Sequence, residues 1–353
     1  MKIQKKKIHI FLILFIVCLG CAVSFILNKK DKSSSIDNVK GNLIISTFSE
    51  HGKGEILLYD LENNKEISLI DSNVAITGDL SEDGSKLTYV NALDNYDPWQ
   101  VYIHNIGKNK DADEKLTDNE DGKTSPIFKD NNLVYYITGG DSGSVQIAKE
   151  DIYSKESSLI DDKTSDCIVD AMDIRNQKII MSITSNNLYS QAWENSDGRD
   201  IPIKHSICET NQDGENLKKI VDIQASEVNS ISYTPSGDDL IIGGCDINGD
   251  SGKGIYRISL SDGNVTTILN EKMLSEDNLS EVREFSNPNL AKMSADEECI
   301  FFSGVASDAE SSEIEGIKCY STAIFSYNIN NKQIKKVYEP KETSFIFGLN
   351  IKY

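Results

Sequence analysis

Several things are scarce in this sequence. Of 353 residues only two are Trp, six are Pro and four are His. Outside residues 8–27 there is no long apolar run. No long amphipathic helix appears either; only Leu274, Leu279, Val282 and Phe285 hint at a helical turn or two. Bases are few, 36 against 56 acids, for a net charge of −20. Residues 1–32 take seven of those bases and one acid, which leaves 29 bases against 55 acids and a net charge of −26 beyond them. Such a surface repels phosphate backbones, so nucleic-acid binding through a general basic face is excluded. At 39% hydrophobic residues the chain is no disordered polymer, and its length allows two domains or one large all-β domain.

Seven cysteines are present, two of them, Cys18 and Cys21, in the first apolar run, and the other five show no CxxC spacing. The five beyond the first apolar run, Cys167, Cys208, Cys245, Cys299 and Cys319, are an odd number in β-rich contexts. They read as free buried thiols rather than a disulfide framework or a zinc site. Beyond that run the histidines are His51, His104 and His205, widely separated, with the last two inside predicted strands. No G-x-S-x-G elbow occurs. Gly140-Asp141-Ser142-Gly143 matches the surroundings of a trypsin-like nucleophile but stands in a glycine-rich loop without partner residues.

What is present begins with a basic segment, residues 1–7, and twenty nearly unbroken apolar residues, Ile8–Leu27. That is enough helix to cross a hydrocarbon core of about 30 Å. The reading is a single-pass signal anchor that leaves the rest of the chain outside the cytoplasm. The alternative is a lipoprotein signal ending at Cys21, the residue that would be lipidated. A polar tether, residues 28–41, follows.

From residue 42 the chain is a succession of short strands. VAITGDLSEDGSKLTYV is a strand, a tight Asp-Gly turn and a second strand. The layout returns in SPIFKDNNLVYYIT, VDAMDIRNQKIIMSIT, NSISYTPSGDDLIIGG and LAKMSADEECIFFSG. The turns centre on Asp83, Asp130, Asn176, Ser236 and Asp296, with a second hairpin after each unit. Four strands per repeat of about 40–50 residues predict propeller blades. Second strands near Leu43, Leu87, Leu133, Lys178, Leu240 and Cys299 predict six of them. The first unit lacks an inner strand, and Ser344–Tyr353 is a strand without a hairpin, so the two ends are expected to share one blade. LSEDGSKLTYV, YTPSGDDLIIGG and ICETNQDGENLKKI resemble the repeat elements of TolB-like propellers, the WD40-like PD type. The resemblance covers about residues 42–353 and implies a six-bladed all-β propeller, and by itself no enzyme.

If strands alternate in direction, the long loops after each second strand all lie on one face, the usual site of binding loops. They carry Tyr96, Trp99, Tyr189, Trp193 and Arg199, expected as aromatic and guanidinium anchors for a protein, a peptide or a cell-envelope glycan. Asp246, Asn248 and Asp250 are spaced like part of a calcium loop, although Ser251 and Arg257 stand where Gly and a bidentate Glu belong; apart from calcium no cofactor is expected. Two functions follow: a membrane-anchored binding module, or a propeller lyase or glycoside hydrolase with acids gathered at the axis. Asp79, Asp170 and Asp173, on inner strands, decide between them.

Overall fold

The apolar runs after each tight turn (LIIS, VYYI, IIMSI, IFFSG) are continuous rather than alternating, as strands covered on both faces must be. The computed structural model describes residues 41–72, 77–92, 98–108, 113–139, 143–160, 166–197, 201–276, 281–314 and 317–353. The basic segment, the apolar run with Cys21 and nearly all of the tether lie outside them, as do Tyr96 and Arg199. No helix of the described residues is long and apolar enough to cross a membrane.

Leu43–Ser49, Lys86–Asn91, Leu133–Gly139, Lys178–Thr184, Asp239–Cys245 and Cys299–Ala306 each run as the second strand of an antiparallel ladder. Successive side chains on them enter different cores. Ile44 packs with Leu80 and Tyr89 of the next ladder. Leu43 and Ile45 pack instead with Phe301 and Ile324 of the last one. Burying one such side chain stabilises by about 1.5–3 kcal/mol, and here every second strand is buried twice over. Outer strands face water and read accordingly: every residue of Glu114–Lys115 and Ser157–Leu159 is exposed.

The result is an all-β, propeller-like arrangement. Ser344–Ile351 pairs antiparallel with Leu43–Ser49, so the C-terminal strand is the inner strand of the first sheet, with Gly54–Asp60 and Lys65–Ser72 outside. A second four-stranded sheet runs from Thr77–Leu80 to Glu114–Lys115, and a third from Glu227–Tyr233 to Val265–Asn270. A further sheet, Cys299–Ala306 to Ile334–Tyr338, has an inner strand split into Val282–Phe285 and Ala291–Met293. The eight strands from Lys123–Phe128 to Lys218–Ala225 form one sheet, and Ser311–Ile314 pairs with Ile317–Tyr320 in a separate hairpin.

Hydrogen bonding therefore separates four blades, where the count of second strands predicts six. The cause is local. Val145 pairs parallel with Ile168, and its N–H donates to the Cys167 carbonyl at 2.7 Å, which sews two four-stranded ladders together.

Among the described residues two short α-helices break the β pattern. Residues 185–202 read as a loop, yet Asn186–Asn195 is a helix, α1. Ser185 caps it, accepting from Leu188 N at 3.1 Å, and the Asp166 carboxylate accepts from Asn187 N at 2.8 Å. A carboxylate at a helix N-terminus is favourable on both hydrogen-bond and dipole grounds. Glu271–Glu276 forms the second helix, α2, and includes Leu274. Val282 and Phe285, read with it as helical, lie in a strand instead, and Leu279 is outside the described residues.

Candidate functional site: the central channel and its aromatic rim

The inner strands surround a channel with two cavities. The upper one, about 250 Å³, lies at the strand starts and is lined by Thr77, Ser125, Asp170, Asn229, Pro288 and Phe347 among others. The lower one, about 270 Å³, lies at the strand ends and includes Glu82, Lys129, Asp173, Arg175, Ser232 and Tyr353. Ile127, Lys292 and Asn350 line both.

A recurring backbone device shapes the upper cavity. A bulge leaves Phe347 between the pairs Thr47↔Ile346 and Ser46↔Gly348. The same irregularity skips Asp170, Asn229 and the dipeptide Ser125-Pro126 in three other inner strands. In the split inner strand the interruption itself supplies Pro288. A bulged residue escapes the ladder's alternation and can be turned where the sheet alone would not send it. Here these residues line the cavity.

The three decisive carboxylates are separated and engaged. Asp79 is fully buried; it accepts from Phe128 N at 2.9 Å, from Asn350 Nδ2 at 2.6 Å and from the Lys352 ammonium. Burial pushes its carboxyl above the usual carboxylate range, against the pull of Lys352. Asp173 accepts from Tyr233 N at 2.9 Å, in the next inner strand. Asp170 accepts from Ser182 Oγ at 2.9 Å and meets His205 Nδ1 at 2.9 Å. That trio has the composition of a catalytic triad with the wrong connectivity, because the serine donates to the acid rather than to the imidazole. Asp79 and Asp173 work as staples: each carries a backbone N–H of the following inner strand. His104, also buried, pairs with Asp113 at 2.6 Å, which also accepts from Tyr89 Oη at 2.7 Å. Among the described residues no three His, Cys, Asp or Glu are grouped to hold a metal ion.

The face onto which the upper cavity opens also carries α1. None of the ten α1 residues is buried: Leu188, Tyr189 and Trp193 are 41%, 39% and 45% exposed. The Tyr189 and Trp193 rings, four residues apart and so on one helix face, stack with centroids at 6.4 Å. Trp99 is different. It is half-buried before Gln100–Asn105, its carbonyl accepting from Lys123 N at 2.8 Å. Among the described residues no ring contact joins it to Trp193.

The expected calcium ligands point at protein donors. Asp246 accepts from Gly252 N and Ser226 Oγ, Asn248 from Gln224 N, and Asp250 from Thr267 Oγ1 and Asn270 Nδ2. None of the five described cysteines is in a disulfide, and Cys167 and Cys208 are buried.

The sequence reading passed over Lys292, Arg175, Asn350 and Tyr353. A signal for Lys292 was present: it is the one charge in Ala291–Met293, between two buried residues.

Comparison with known proteins places the architecture. No family model matches the sequence, and no curated protein does. Among solved structures, TolB from Acinetobacter baumannii superposes with a TM-score of 0.60 at 9% identity, over 87% of this chain and 67% of that one. A putative TolB from Agrobacterium tumefaciens gives 0.55 at 10% identity, over 84% and 89%. A chain of a nidogen/laminin complex gives 0.55 at 8% identity, over 87% and 97%. The fold is that of a TolB-like propeller.

Proposed function

We propose that the chain is a propeller held at the outer side of a membrane by Ile8–Leu27, and that it binds a protein or peptide on the α1 face. The observation that carries this reading is α1 itself: a capped helix with no buried residue, presenting two stacked aromatic rings to solvent. Large exposed aromatics on an ordered support are favoured interface anchors, and a partner that covers them gains the area that folding left unused. One structural neighbour belongs to a protein–protein complex, that of nidogen with laminin, which supports the class of partner.

The eight-stranded sheet counts as two blades, giving a six-bladed ring. Six apolar clusters support the count, each joining one ladder to the next and the last to the first. The anchor rests on the twenty apolar residues with lysines on either side.

A photo-crosslinking residue at position 193 of the full chain in intact cells tests the face. It is expected to capture a discrete partner that a crosslinker at Asn63, on the opposite face, misses. Equal capture at both positions refutes the assignment. Protease added to intact cells is expected to remove the propeller, and full protection in accessible cells reverses the topology. Mass spectrometry of the N-terminus decides between a helical anchor and a diacylglyceryl group on Cys21.

A further inference from the structure

We infer that the lower cavity is a site for a carboxylate-bearing ligand, held by Lys292 and Arg175 with Ser232 beside them. It stands apart from the α1 face, at the other end of the channel.

Lys292 is the starting point. It is 8% exposed, yet lines both cavities, so its ammonium lies on the channel. An ammonium has three donors. The carboxylate paired with it, Asp173 Oδ1, is 3.9 Å away, beyond hydrogen-bond reach. Asp173 spends its other oxygen on Tyr233 N, and both oxygens of Asp79 are engaged by Phe128, Asn350 and Lys352. Asp79 is therefore committed to backbone and closure, and Asp173 keeps only Oδ1 for Lys292. Lys292 is left with one ion pair at 3.9 Å and room in the channel for a closer acceptor.

Arg175 lines the same cavity. Its guanidinium donates to the Pro235 carbonyl and lies 5.6 Å from the Tyr353 ring centre. Its Nε is buried without an acceptor, and no ion pair among the described residues includes it. Ser232, 1% exposed, is also among the residues around this cavity. Two cationic side chains, Lys292 and Arg175, thus meet one cavity of about 270 Å³ in a strongly acidic chain.

The donor set selects the ligand. A guanidinium presents a planar fork that matches a carboxylate, and an ammonium adds a point charge. Glu82 also lines this cavity, so the two cations are matched to a single carboxylate group. Its source is either a small organic acid or an acidic residue or chain end of a peptide.

Calorimetry of the full chain in detergent micelles with succinate, tetraglutamate and inorganic phosphate tests the site. Saturable binding of succinate or tetraglutamate is expected, weakened about tenfold or more by K292M and by R175M and retained by K292R. Binding of succinate alone identifies a small-acid site, and binding of tetraglutamate alone a peptide site; both support the inference. Phosphate binding tighter than either carboxylate overturns the ligand class. No binding up to roughly 10 mM overturns the site, as does a K292M chain with unchanged affinity, whatever its stability. If K292M fails to fold, R175M and K292R carry the test. W193A should leave carboxylate binding unchanged, so the result is separate from that for the α1 face.

Discussion

Closure of the ring depends on a few contacts near the C-terminus, and the Asp79–Lys352 pair is the place to perturb it. Asp79 is wholly buried, while the Lys352 side chain keeps 20% of its exposure. Asp79→Ala removes the acceptor of three donors from two other strands, one of them charged. Each buried donor left unsatisfied costs about 1–3 kcal/mol, and removing one partner of a buried ion pair costs about 3–5 kcal/mol. These costs overlap. Because Lys352 borders the lower cavity and can rehydrate, we expect about 3–4 kcal/mol for Asp79→Ala. Lys352→Met strands a carboxylate with no path to water, so its loss should be at least as large. At the low end of about 2–4 °C per kcal/mol, suited to so long a domain, Asp79→Ala should melt about 6–8 °C below the wild type and Lys352→Met at least as far below. The Asp79→Ala/Lys352→Met double variant should fall short of the sum of the singles by about 1–3 kcal/mol, the coupling typical of contacting groups. Thermal melts of four proteins give the cycle. Strictly additive losses would refute the argument, since they would mean that the C-terminal segment is held by Ser344–Ile351 pairing alone.

Four further outcomes are expected. Because the folded Asp79 carboxyl is raised, the native state holds that proton more tightly than the unfolded chain does; stability from this group is present below the ordinary value near 3.9 and is lost as pH rises through the folded value. Wild type should therefore lose stability relative to Asp79→Asn over that rise, and parallel pH–stability curves would contradict it. Deleting residues 344–353 should abolish the cooperative melt, because Leu43–Ser49 loses its inner neighbour and exposes Leu43 and Ile45; a retained transition in circular dichroism would count against that. Trp193→Ala should leave the melting temperature nearly unchanged while weakening partner capture, whereas half-buried Trp99→Ala should cost stability; equal melting losses would remove the distinction between them. Burial pushes the Cys208 thiol up to about 11, so in timed alkylation at pH 8 read by mass spectrometry it should react far more slowly than Cys319.

The blade pattern was legible because it is written twice, once in the Asp-Gly and Ser-Gly turns and again in the unbroken apolar second strands that only two-sided burial explains. Starts placed at Leu43, Leu133, Lys178 and Cys299 coincide with the observed strands, and those at Leu87 and Leu240 differ by one residue. The joining of two ladders by Val145 and Ile168 was not legible, since a single backbone pair leaves no trace in side-chain type. Helix α1 was missed for a related reason. It has no buried stripe, and therefore no apolar period; its order comes from Ser185 and from Asp166, a residue about twenty positions earlier.

The channel shows the same division more sharply. Asp170 and Asp173, three residues apart on one strand, could be picked out as axial, but an alternating strand would not have told which cavity each reaches; a bulge at Asp170 decides that. Bulges depend on how inner strands meet around the axis, so the lining of a propeller channel is less predictable than its blades. Charged residues are the exception. A cation between two buried apolar residues, as Lys292 is, needs compensation for its desolvation, and in this ring the carboxylate paired with it, Asp173, lies 3.9 Å away and gives its other oxygen to backbone. Seeking that missing compensation is what leads from one lysine in a short strand to a carboxylate site.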